Sequence, residues 1–218
     1  MTALRPQLAM ELWVLRPYAR QFVLVPLIAL GLGFLQDTVV PIMVVMAVLT
    51  GSYGFAVTEN SRLETLFATL PTSRRTVVLA RYLVTTGVLV LVGLVAVGLD
   101  GVTAALRQQP WDPAVSAMVL GASLALAGLV LAIQFPFYFR LGYTRAKLVT
   151  WVAVAVVAAL IGFLMMSTTQ LGPSPLDQLR APADAIPLIV TAGGPVLCLF
   201  LLACSAAVSV RLYSRKDL

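Results

Sequence analysis

Six long apolar runs dominate the chain, at roughly 21–36, 39–58, 76–99, 115–139, 148–169 and 186–210. A helix of about 20 apolar residues crosses a hydrocarbon core of about 30 Å, and most of these runs reach that length. Backbone amides in lipid must be satisfied within a helix or a closed barrel. Barrel strands would alternate apolar and polar residues, whereas these runs are continuous. The expectation is an all-α, polytopic membrane protein with six transmembrane helices, forming one transmembrane domain over 1–218. The first run is short, and Pro26 is expected to kink it. It begins only near residue 21 and no small-residue cleavage site follows it, so it reads as a helix and not as a secretory signal. Composition agrees: 60% of residues are hydrophobic and 11% charged, against about 25% charged in soluble domains.

Lysine and arginine give the orientation. An even number of spans puts both termini on one side. That side collects Arg5, Arg16, Arg20, Arg62, Arg74, Arg75, Arg81, Arg140, Arg145, Lys147, Arg211, Arg215 and Lys216. Only Arg107 and Arg180 fall on the other, among Asp37, Asp100, Asp112, Asp177 and Asp184. Both termini and the polar insert at 59–82 are therefore expected in the cytoplasm. The net charge of +6 reads as a topology signal, and no basic patch points to nucleic acid. Before the first run, Leu4, Leu8, Leu12 and Leu15 share one helical face, with Gln7 and Glu11 elsewhere. Residues 1–20 are thus expected to form an amphipathic helix in the interface plane. Trp111, between Pro110 and Asp112, reads as an interfacial anchor, and the loop 170–185 could hold a short external helix at 176–180 or none.

The residue inventory excludes much chemistry. Without histidine there is no His-based zinc site, Ser-His triad or His proton shuttle, and no metal site is expected. Cys198 and Cys204 lie six positions apart, about 120° around a helix, so they read as small buried hydrophobes and not as a ligand pair. No charged residue sits mid-span, which argues against ion-coupled transport, since intramembrane ionisable groups mark such pathways. Thr50, Ser52, Tyr53, Thr85, Thr86, Gln134 and Thr191 are the milder polar groups, read as contacts between helices. The chain lacks the G-x-x-x-x-G-K-[ST] phosphate loop, so any ATP-driven work needs ATP and magnesium held by a separate polypeptide.

The insert ENSRLETLFATLPTSRRTVVLARY (59–82) is the best-punctuated polar segment. Ser61 and Glu64 have capping-box spacing. Leu63, Leu66, Phe67 and Leu70 then recur at i, i+3, i+4 and i+7, one apolar stripe of a helix. Pro71 stops it, and Ser73 can cap the following helix, which enters the membrane past Arg74, Arg75 and Arg81. A short helix and turn over 59–73 is expected. Its stripe either rests on lipid and neighbouring helices or docks into a groove of a cytosolic partner; periodicity does not choose. Glu59 and Arg81, both near the boundary on consecutive helices, are expected to pair. A second polar element, FPFYFRLGYTRAK (135–147), reads as an interfacial hairpin. Pro136 and the aromatics end the fourth helix, Gly142 makes the turn, and Arg145 and Lys147 open the fifth.

The 59–82 run resembles the cytoplasmic loop of small type-2 ATP-binding-cassette (ABC) exporter permeases. There a short coupling helix precedes a Leu-Pro-x-Ser-Arg stretch and a basic-aromatic pair, here Leu70, Pro71, Ser73, Arg74, Arg81 and Tyr82. The 135–147 run is similar to the second cytoplasmic turn of that family through Pro136, Phe139, Arg140, Gly142 and Lys147. The resemblance implies a permease subunit in a prokaryotic cell membrane, paired with a second permease copy as a homo- or heterodimer. It also implies two cytosolic ABC ATPases as partners. Glu59, Arg62, Leu63, Glu64, Leu66, Phe67 and Leu70 would meet the ATPase, with Ser61, Pro71 and Ser73 shaping the loop. Export of a hydrophobic or amphiphilic substrate (a peptide, an antibiotic or a lipid-like molecule) is the implied function, without enzymatic activity in this chain. The alternative is a non-transporting membrane anchor that recruits or regulates a cytosolic partner. A membrane hydrolase has almost nothing here to work with.

Overall fold

The protein is described by a computed structural model covering residues 4–15, 24, 26–31, 39–60, 73–148, 151–152, 155 and 185–214. These residues are helical apart from short connections, with no strand among them. In chain order α1 is Leu4–Leu15, α2 Val39–Asn60, α3 Arg74–Leu106, α4 Pro113–Leu141 and α5 Ala185–Ser214. A further helical stretch starts at 143.

Local chemistry sets the helix ends. Ser73 caps α3 as expected, its hydroxyl accepting from the Thr76 amide at 3.2 Å. With 33 residues at about 1.5 Å each, α3 is ~50 Å long and overshoots the hydrocarbon core. It ends at Arg107, followed by Gln108 in the left-handed region (φ 57°). Asp112 then caps α4, accepting from the Ala114 amide at 2.8 Å, with Pro113 in the first turn. This tight 107–112 turn folds α4 back antiparallel to α3. At its other end α4 departs from the expectation: it does not stop at Pro136 but passes through it to Leu141. The surrounding aromatics fix the backbone there, and the chain turns at Gly142 (φ 79°), where a residue without Cβ is favoured.

Among the described residues four helices are long and apolar enough to cross a membrane: Val39–Glu59 of α2, α3, α4 and the Val190–Tyr213 part of α5. They match four of the six expected spans. Of the other two runs, residues 24 and 26–31 and residues 148, 151–152 and 155 are helical. The remainder of both runs, residues 61–72 of the coupling helix and turn expected over 59–73, and 170–184 of the loop 170–185 lie outside the described residues.

Two kinds of packing hold the bundle. Between α4 and α5 the backbones nearly touch. A Cβ on Gly194 would lie 2.1 Å from the Gly121 carbonyl oxygen, and one on Gly128 would lie 2.7 Å from Cys198 Cα. Glycines at 121 and 128 facing Gly194 and Cys198 form a seam of small residues, which lets dispersion act over the whole helix length. Cys198 is buried in that seam, as expected, while Cys204 is exposed, which corrects the reading of both as buried. Elsewhere large side chains interlock, with Met43, Leu89, Leu131 and Phe135 nearly inaccessible.

The polar side of α1 turns inward. Gln7 and Glu11, one helical turn apart, are 2% and 4% exposed, while Leu12 and Trp13 are 58% and 67% exposed. The helix packs on α3 and α2. Leu12 is thus outward, as an interfacial helix requires, while the face that carries Gln7 and Glu11 meets protein and not water.

Candidate functional site

At one end of the bundle the roots of the 61–72 segment converge with the expected site residues that lie among the described ones. α2 leads into the segment through Thr58 and Glu59, and α3 leaves it through Ser73 and Arg74. Each root is tied to a different helix.

Arg81 lies at the centre, 5% exposed. Its guanidinium reaches Glu11 of α1 through Nε at 3.1 Å and Nη2 at 2.9 and 3.0 Å. Nη2 also donates to the Thr58 hydroxyl of α2 at 2.9 Å, and that hydroxyl donates to the Gly54 carbonyl at 2.7 Å. Phe55 places its ring 4.4 Å from the guanidinium carbon, a cation–π contact. The expected Glu59–Arg81 pair is not what the structure shows, because Glu11 takes the place of Glu59. Arginine suits this position: its planar fork satisfies a carboxylate, a hydroxyl and a ring at once, which a lysine ammonium does not.

Glu59 turns toward the second polar element. Its carboxylate accepts from the amides of Tyr143 and Thr144, the latter at 3.1 and 3.3 Å, and from the Thr144 hydroxyl. It thereby satisfies free amides at the start of the helix at 143, the position where a negative charge complements the helix dipole. Gly142 permits this in two ways. Its φ of 79° suits glycine, and a Cβ there would come within 3.0 Å of the Glu59 carboxylate.

On the other root, Arg74 donates to the Tyr213 carbonyl of α5 at 3.2 Å and stands 5.9 Å from the Tyr213 ring centre. Tyr82, two turns into α3, binds α5 through a chain of hydroxyls. Ser205 donates to the Ala132 carbonyl of α4 at 2.8 Å. The Tyr82 hydroxyl therefore donates to Ser205 at 2.7 Å and accepts from Ser209 at 2.9 Å. Aromatic rings fill the space between these ties. Phe55 is 5.1 Å from Phe135 and from Tyr138 and 4.9 Å from Phe139, and Phe139 is 5.5 Å from Tyr213. Edge-to-face contacts of this kind add about 0.5–1.5 kcal/mol each beyond burial.

The structure thus gathers Glu59, Ser73, Arg74, Arg81, Tyr82, Phe139 and Gly142 at one end of the bundle. Pro136 is half-buried within α4, and Arg140 and Lys147 are exposed at the same end. Ser61, Arg62, Leu63, Glu64, Leu66, Phe67, Leu70 and Pro71 lie outside the described residues. Sequence reasoning missed Glu11, Ser205 and Ser209. Glu11 offered one signal, a carboxylate beside Gln7 on a helix otherwise bare of acids. The serines offered only their i, i+4 spacing, which is common on apolar helices. Of the polar groups read as contacts between helices, Ser52 reaches Gln134 at 3.3 Å, whereas Thr50 bonds back to its own helix at Met46.

The segment's two roots are thus bonded, directly or through Arg81, to α1, α3, α5 and the helix at 143. No curated protein and no solved structure matches the chain. A family model described as ABC-2 family transporter protein matches residues 11–214, which spans α2 to α5 and both polar elements. The chain belongs to the ABC-2 family of transporter proteins as a membrane-spanning permease subunit.

Proposed function

We infer that this permease subunit couples a cytosolic ABC ATPase to export of a hydrophobic or amphiphilic substrate, with the 59–73 segment as the coupling element. The observation that carries the reading is the anchoring of both segment roots into one charged and aromatic hub. A force applied by a partner at 61–72 would reach α2 through Thr58 and Glu59 and α3 through Arg74 and Arg81. Glu59 then ties the segment to the turn at 142–144, while Leu63, Leu66, Phe67 and Leu70 meet the ATPase and Arg62 and Glu64 set register. Arg74, Arg75, Arg140, Arg145, Lys147 and Arg211 cluster at the hub end, which supports a cytoplasmic hub and cytoplasmic termini; residence in a prokaryotic plasma membrane follows from the family resemblance. Two ATPases and a second permease, identical or not, complete the assembly. ATP and magnesium act on the ATPases.

Leu66→Asp combined with Phe67→Asp tests the docking. The permease is expected to insert at normal levels while its ATPase no longer co-purifies from native membranes. ATPase retention at the wild-type level would remove the docking assignment. An ATPase whose rate is the same with and without this subunit would favour the anchor reading over export.

A further inference from the structure

At the end of the bundle away from the hub, α2, α3, the 107–112 turn and α4 enclose a cavity of about 250 Å³. We propose that this cavity is a binding site for a small organic cation that carries an apolar body. The proposal concerns binding alone and stands apart from the export reading, since it involves neither the 61–72 segment nor an ATPase.

Size and walls come first. Drug-sized ligands occupy cavities of about 300–1,000 Å³, so this one suits something smaller. Val40 of α2 and Val115 and Val119 of α4 supply apolar surface. Trp111 supplies an aromatic one, and it is fixed in place. Its indole N–H donates to the Ser116 hydroxyl at 3.0 Å, and its ring packs so closely on Gly101 that a Cβ there would lie 3.3 Å away. The residue is still 45% exposed. A rigid, accessible indole is the preferred side chain for a cation–π contact.

Charge then selects the ligand. Asp100 and Asp112 both line the cavity. Asp100 accepts from the buried Ser116 hydroxyl at 2.5 Å, and Asp112 accepts from the Ala114 amide at 2.8 Å. Those contacts leave acceptor capacity on both carboxylates. Among the described residues no cation pairs with either of them, and Arg107, the nearest in sequence, does not line the cavity. The last turn of α3, with Thr103 and Ala104 in the wall, adds the negative end of a helix dipole. A half-enclosed apolar space with two unpaired carboxylates, a fixed indole and a helix C-terminus attracts an alkylated or protonated amine and repels an anion. The Trp111–Ser116–Asp100 relay holds the wall ready, so little ordering is lost on binding.

Equilibrium binding to the whole chain in uncharged maltoside micelles tests this, with benzyltrimethylammonium as probe. Its neutral carbon isostere, neopentylbenzene, and benzenesulfonate are the comparisons. The cation is expected to bind at least tenfold more tightly than either. Asp100→Asn and Asp112→Asn each keep the hydrogen-bond acceptor, and asparagine caps helices as well as aspartate, so both variants should fold. Each is expected to weaken the cation at least fivefold and leave the isostere unchanged, and Trp111→Leu to weaken it about threefold or more. Equal affinity for cation and isostere, or unaltered cation binding in both Asn variants at wild-type thermal stability, would overturn the proposal.

Discussion

The hub beneath the 61–72 segment and the seam between α4 and α5 solve the same problem in opposite ways. Both hold helices together in a setting where lipid is as apolar as the side chains, so hydrophobic burial gives little net drive. The seam does it by steric approach, with Gly121, Gly128, Gly194 and Cys198 allowing backbone contact without a polar group. The hub does it with directional bonds, a buried ion pair, a hydroxyl relay and interlocked rings. Close-packed backbones have one good arrangement. A network of hydrogen bonds and rings can exchange partners, as the proposed coupling role would need.

The sharpest way to break this contrast is at Arg81. Arg81→Met strands the Glu11 carboxylate in a buried site, which costs about 3–5 kcal/mol for a broken buried pair. Thermal unfolding in detergent should fall accordingly, and α1 should become susceptible to protease. Adding Glu11→Leu should restore most of the stability, since replacing both partners by apolar groups is often neutral. Transport should stay impaired if the pair serves coupling; full recovery of transport would reduce it to a structural tie.

At the seam, Gly194→Ala places a methyl on the Gly121 carbonyl and should cost about 1–3 kcal/mol through overpacking. Gly87→Ala is its control. Nothing lies within 4 Å of a Cβ there, so the change should be neutral or slightly stabilising by helix propensity. Equal melting temperatures for the two variants would show that the close approach of α4 and α5 is not a stabilising feature.

The smallest expected effect is Tyr82→Phe. It breaks the relay between α3, α4 and α5 but keeps the ring stacked in the aromatic cluster. Hydrogen bonds between membrane helices average about 0.6 kcal/mol and reach ~1.7, so stability should drop by no more than that. A loss above about 3 kcal/mol would mean that the three hydroxyls act as one cooperative unit.

Much of the architecture is readable along the chain. Long uninterrupted apolar runs mark α2, α3, α4 and α5 because lipid forces each backbone to satisfy itself locally. Ser73 as a cap and Gly142 as a turn are likewise local events, set by one side chain or by the lack of one. Pro136 misled because a helix stop is only a local preference. In α4 its ring is accommodated while Phe135, Tyr138 and Phe139 lock the surrounding turns against Phe55, Tyr82 and Tyr213.

Partnership is where the sequence stops. Glu59 and Arg81 face each other on paper across consecutive helices, yet Arg81 binds Glu11, 70 residues away, and Glu59 binds Thr144, 85 residues away. Which carboxylate meets which cation depends on the rotation of α1 about its own axis, and a leucine stripe alone does not say that its opposite face packs on protein. The same holds for the cavity at the far end. Asp100, Trp111 and Asp112 read one by one as loop residues, and only the fold of α3 back onto α4 encloses them with Val40. The sequence alone determined that α2 to α5 are helices in lipid and that Ser73 caps α3, because those choices are made within a few residues. The tertiary structure decided which polar groups meet, because in a low-dielectric bundle each buried charge must take a partner that geometry puts within reach, whatever its distance along the chain.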